Sequence, residues 1–186
     1  MRTNAEIMQI IDEAIKSIWV NEIRNDYENK RLLKEDTLKN AMYFHLRNRI
    51  GWLCDECDLR IFTEFTDDKF RGTGKIPDMV IARMDTQKEV QYWGNAVTEC
   101  LAVIEIKYKA NTGAVKDIEG DYDKLKYYAE DLNLDCNLYM ATIWECEDDP
   151  TTWVPEDEDW AKGKVTELNA SFKRGTWDMR FYIAPH

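Results

Sequence analysis

Residues 101–108 read LAVIEIKY, an apolar run interrupted by one glutamate and one lysine two residues apart. Side chains alternate between the faces of a strand, so Val103, Glu105 and Lys107 share one side and Ile104 and Ile106 the other. Withdrawing a carboxylate and an ammonium from water costs several kcal/mol each, which their mutual attraction need not recover. A pair placed there points to chemical use. Upstream, IPDMVIA sets Asp78 after Pro77 at the head of another apolar run. In LLKEDTLKNAMYFHL, Glu35 falls on the stripe of Leu38, Met42 and Leu46 when residues advance about 100° each around a helix. If the strands bearing Asp78 and Glu105 pair as a hairpin with its tip at 85–97, the two carboxylates lie side by side. Both then stay ionised at neutral pH only with a cation between them.

Carboxylate oxygens suit Mg²⁺ or Mn²⁺, and the chain is short of zinc ligands: its only histidines are His45 and His186. Cys54 and Cys57 in CDEC have the Cys-x-x-Cys spacing, but no second pair follows, so no zinc site is expected. With no histidine base in prospect, hydrolysis would rest on water activated by a metal ion. His45 lies on an apolar stripe and reads as a hydrogen-bonded core residue.

The elements that must hold these groups follow from periodicity. Thr3 and Glu6 have capping-box spacing ahead of Ile7, Ile10, Ile11, Ala14, Ile15 and Ile18, which predicts a helix over about 4–30, broken near 21–25. A second helix covers 32–50. Strands are expected at 59–65, 72–84 and 98–108, then a helix over 114–133 and a strand at 136–144. A strand, a helix crossover and a strand make a parallel pair. The tail offers one or two edge strands at 164–171 and 178–185, with an exposed acidic loop or short helix between them and the core. Glu64 in FTEF faces one side or the other according to register.

At 186 residues the chain fits a single domain of the α/β class, 1–186. No run of about eighteen apolar residues appears, so no membrane span or signal peptide is expected. Five scattered cysteines make no disulfide framework, which fits a reducing, intracellular, cytoplasmic setting. The net charge of −11 argues against indiscriminate attraction to nucleic acid. The acids crowd into 146–160, however, while Lys69, Arg71, Lys75, Lys107, Lys109, Lys116, Lys124 and Lys126 surround the segments of interest.

IPD at 76–78 followed after a hairpin by VIEIK at 103–107, with Glu35 on a preceding helix, resembles the PD-(D/E)xK nuclease superfamily, the restriction-endonuclease-like fold. The resemblance covers about residues 30–145, in αβββαβ order, leaving the helix at 4–30 and the tail at 146–186 as additions. It implies a mixed central sheet flanked by helices and a Mg²⁺-dependent nuclease, Mn²⁺ substituting, acting on DNA rather than RNA. It further implies that Asp78, Glu105 and the backbone carbonyl of Ile106 bind the metal, that Glu35 contributes to the metal site, and that Lys107 orients or helps deprotonate the attacking water. Asp121 and Lys124 fall where the family often carries auxiliary polar residues. Many such enzymes form homodimers. Two other readings stand beside this one: a fold kept as an inactive binding or assembly module, with 146–160 meeting a protein partner, and an unrelated protein in which the charges form an internal ion pair.

Overall fold

The computed structural model describes residues 2–67, 70, 73–110, 116–146, 152–173 and 175–186, without the side chains of residues 116 and 117. Lys69, Arg71, the Lys116 side chain and residues 147–151 of the acidic segment therefore lie outside the described residues. The chain is mixed α/β, built on one open six-stranded sheet. Strands β1 (Leu59–Thr63), β2 (Met79–Met84), β3 (Val97–Lys109), β4 (Asn137–Trp144), β5 (Val165–Phe172) and β6 (Met179–Pro185) lie in sequence order across it. The β1–β2, β2–β3 and β5–β6 pairs are antiparallel; β3–β4 and β4–β5 are parallel. Helix α4 (Lys116–Glu130) makes the crossover between β3 and β4.

Helices cover both faces. On one side α1 (Asn4–Ile18) and α3 (Glu35–Glu56) bury Ile7, Ile11, Ile15, Leu38, Met42 and Leu46 against Ile81, Ile104, Ile106 and Leu168. On the other, α4 buries Ile118, Leu125 and Tyr128 with Val80, Val103, Leu138 and Met140. The alternation along β3 sends Ile104 and Ile106 to the first core and Val103 to the second. Burying one such aliphatic side chain stabilises by about 1.5–3 kcal/mol.

The capping box at Thr3 and Glu6 starts α1: the Thr3 hydroxyl accepts from the Glu6 N–H, and the Glu6 carboxylate accepts from the Thr3 N–H. The break foreseen near 21–25 is a π-helical turn at Trp19–Ile23, followed by α2 (Arg24–Glu28). The extra residue of a π-turn re-aims the following side chains. Trp19 and Ile23 turn inward, and the Trp19 indole N–H donates to the Asn169 carbonyl at 3.1 Å.

One expectation needs correction and another refinement. The strand at 165–172 is no edge: β6 pairs with its outer side, and seven of its eight residues are buried. The described part of the acidic segment, 152–161, is a loop with Glu156, Asp157 and Asp159 exposed, and it is anchored to the sheet. Val154 and Ala161 are buried, Trp153 packs on Trp144, and the backbone N–H groups of Trp153 and Val154 donate to Glu167 at 2.9 Å each. A fully buried carboxylate on β5 holds that segment down, against the repulsion its own acids would supply. Among the described residues no helix is long and apolar enough to cross a membrane.

Candidate active site

Strand β2 begins at Met79, opposite Ile104, so β3 runs on from Glu105 to Lys109 with β4 along one edge and, among the described residues, no strand along the other. This leaves a notch in the sheet. Pro77 cannot donate to a ladder and stops β2 short. The side chain of Asp78 takes the missing partner's place, its Oδ2 accepting from the Ile106 N–H at 2.8 Å. A strand residue's N–H and C=O point to the same edge, so the Ile106 carbonyl also faces the notch.

Glu105 is 1% exposed, beneath α4. Its Oε2 lies 2.7 Å from Lys124 Nζ, and its Oε1 accepts from the Tyr128 hydroxyl at 3.0 Å. Lys124 and Tyr128 are one turn apart on α4, so a single helix face supplies both partners. Burial, with Asp78 and Asp121 close by, pushes the Glu105 carboxyl well above its ordinary range despite the Lys124 ammonium. The Tyr128 phenol is raised by its own burial and by the Glu105 charge.

Lys107 reaches out of β3 between two helices. Its Nζ lies 3.0 Å from Glu35 Oε2 and 3.2 Å from Asp121 Oδ2, the latter without hydrogen-bond alignment. Burial works to lower its pKa, but Asp121 and Glu35 outweigh that and raise it. Lys107 therefore stays an ammonium at neutral pH. The start of α3 fixes Glu35: the Thr37 hydroxyl accepts from the Leu33 and Lys34 N–H groups at 3.0 and 3.1 Å and donates to the Lys34 carbonyl at 2.7 Å. Asp121 also lies 3.4 Å from Lys124.

The structure thus links Glu35, Lys107, Asp121, Lys124 and Glu105 into one chain of ion pairs at the C-terminal half of β3, with Asp78 close enough to act on the Glu105 charge. It adds two residues that the sequence does not single out, Tyr128 on Glu105 and Lys39 on Asp78. Lys39, one turn beyond Glu35, is 2.8 Å from Asp78 Oδ1 and also pairs with Glu64. Burial would lower its pKa, yet the two carboxylates hold it raised. The four-residue spacing from Glu35 was the available signal, though a lysine early in a polar helix stretch carries little information. His45 lies outside the network, its Nε2 2.7 Å from the buried Asp26.

Five carboxylates, those of Glu35, Glu64, Asp78, Glu105 and Asp121, face three ammonium groups, those of Lys39, Lys107 and Lys124. With every group ionised, two negative charges are in excess; burial first, and then Asp78 and Asp121, raise the Glu105 pKa. The donor set is all oxygen, which suits a hard divalent cation. The oxygens that would bind one, Asp78 Oδ1 and Glu105 Oε2, are held by lysine ammonium groups and not committed to the backbone. Among the described residues no group of three or more His, Cys, Asp or Glu is placed so that it could hold a metal ion. Comparison with known family models, curated proteins and solved structures found no match.

Proposed function

We propose that this chain is a metal-dependent nuclease of the restriction-endonuclease-like type, hydrolysing phosphodiester bonds in nucleic acid, DNA in preference to RNA. The observation that carries the reading is the notch: Asp78, just ahead of β2, is bonded to the backbone of Ile106 between Glu105 and Lys107 on β3. Asp78, Glu105 and the Ile106 carbonyl would hold Mg²⁺ or Mn²⁺, with Glu35 contributing from α3. When bound, the cation supplies Lewis acidity to the phosphate and acidifies water.

The chain's own residues do the rest. Lys107, kept charged by Glu35 and Asp121, orients the attacking water and offsets the negative charge that grows on the phosphate in the transition state. A raised ammonium pKa makes it a poor base, so the proton goes elsewhere. Glu35, half-buried beside it, is the nearest carboxylate with access to solvent. Tyr128 fixes Glu105 through one oxygen and leaves the other facing Lys124. In-line attack would leave a 5′-phosphate and a 3′-hydroxyl.

One observation favours a second reading, an inactive fold that serves as a binding or assembly module. Lysine ammonium groups sit on both oxygens that a cation would need. Incubation of the purified protein with single- and double-stranded DNA and RNA in Mg²⁺ or Mn²⁺ separates the two. Metal-dependent cleavage that the Lys107→Ala variant lacks supports the enzyme; no cleavage and no Mn²⁺ binding supports the module.

A further inference from the structure

We propose that Lys39 is a resident counter-cation of the metal site: its ammonium occupies the metal-facing oxygen of Asp78 and withdraws to Glu64 when a divalent cation enters. The inference rests on the metal-site reading above and concerns a residue that reading does not use.

The geometry is that of an exchange. Asp78 has two oxygens with different tasks: Oδ2 holds the Ile106 N–H at 2.8 Å, a fixed backbone contact, while Oδ1 holds Lys39 Nζ at 2.8 Å. Only the second is free to change partner without opening the sheet. Lys39 is itself shared, its ammonium pairing with Glu64 at the same time. The side chain of Lys39 is 11% exposed and that of Glu64 63%, so the ammonium bridges a buried carboxylate and one in contact with solvent.

The backbone supports the same arrangement. Glu64 follows β1 with φ 49°, a left-handed conformation unusual for a residue with a side chain, while its N–H continues the ladder to the Asp78 carbonyl at 3.0 Å. The reversal at Glu64 breaks the strand's alternation and carries a carboxylate toward Lys39. An unneutralised Asp78 beside Glu105 and Asp121 would be costly, and an ammonium on a flexible stem is a charge that can be withdrawn. Competition between the ammonium and a divalent cation for one oxygen then sets the metal affinity, and Glu64 lowers the cost of displacement.

The test is Mn²⁺ binding by titration calorimetry and electron paramagnetic resonance on the full chain, comparing wild type with Lys39→Met, Lys39→Arg and Glu64→Gln, with folding checked by circular dichroism. Removing one positive charge next to the ligand oxygen should tighten Mn²⁺ binding about tenfold in Lys39→Met, while Lys39→Arg stays near wild type. Glu64→Gln should weaken binding several-fold, because the displaced ammonium loses its second partner. A merely structural lysine would give the opposite sign in Lys39→Met, since a loosened Asp78 binds metal less well. Wild-type binding with Lys39→Met unchanged or weaker overturns the exchange and leaves the metal site standing. Absence of Mn²⁺ binding in wild type and Lys39→Met alike overturns both. Should Lys39→Met fail to fold, Glu64→Gln decides alone, with unchanged or tighter binding counting against the proposal.

Discussion

Glu105 is where charge and burial conflict most directly. Its raised carboxyl pKa has a defined consequence for stability. The folded state holds the proton more tightly than the unfolded chain, whose carboxyl titrates near the ordinary value of 4.5. Below that value both states are protonated and the linkage is silent; as pH rises through the raised folded value, stability falls. Without added metal, wild type should therefore lose thermal stability with rising pH relative to Glu105→Gln, which lacks that titration. Melting temperatures of both proteins across pH check this, and parallel curves would remove the conflict. Divalent cation binding should release protons for the same reason, visible as calorimetric heats that change with the buffer's ionisation enthalpy.

Glu105, Lys107 and Asp78 were legible from sequence because each interrupts an apolar run, where a charge needs a reason. Lys39 and Tyr128 were not, because a lysine on a polar helix turn and a tyrosine in a helix core carry no such contradiction. Glu167 in VTELNAS gave the same kind of signal as Glu105, and its structural role could have been suspected.

At the scale of elements, β5 shows what a tail strand can do when it is internal. Glu167 is fully buried and accepts from the Trp153 and Val154 N–H groups and from Asn169 Nδ2 at 2.7 Å, with His186 Nε2 2.8 Å from its Oε1. Glu167→Ala should cost about 3 kcal/mol or more, because these buried groups lose their acceptor together. Urea denaturation measures it; a loss under about 1 kcal/mol would mean that the 152–154 segment is held by Trp153 and Val154 packing instead. The hairpin and the parallel crossover were readable because alternation, turn residues and helix spacing are local signals. The depth of β5 in the sheet was not, since its burial depends on β6 pairing outside it. The π-turn at Trp19–Ile23 was visible only as a break in periodicity, and the distant Asn169 carbonyl that receives the Trp19 N–H leaves no local signal.

At the scale of the whole molecule, a net charge of −11 makes long-range attraction to a polyanion weak, so any nucleic-acid binding must come from a few local cations. Counterion release scales with the number of phosphates neutralised. Binding of a DNA oligonucleotide by fluorescence anisotropy should fall with salt at a log–log slope of magnitude about 3 or less, the value for roughly three phosphates. A much steeper slope would require a basic surface away from the notch.

In the proposed nuclease two residues of the notch divide the labour, Asp78 for the cation and Lys107 for the chemistry. Mn²⁺ binding and nucleic-acid cleavage, measured side by side on wild type, Asp78→Ala and Lys107→Ala, test this division most directly. Asp78→Ala should lose both, while Lys107→Ala should keep Mn²⁺ binding and lose cleavage by about a hundredfold or more. Cleavage that survives in both variants, or a wild type that neither binds Mn²⁺ nor cleaves, would contradict it.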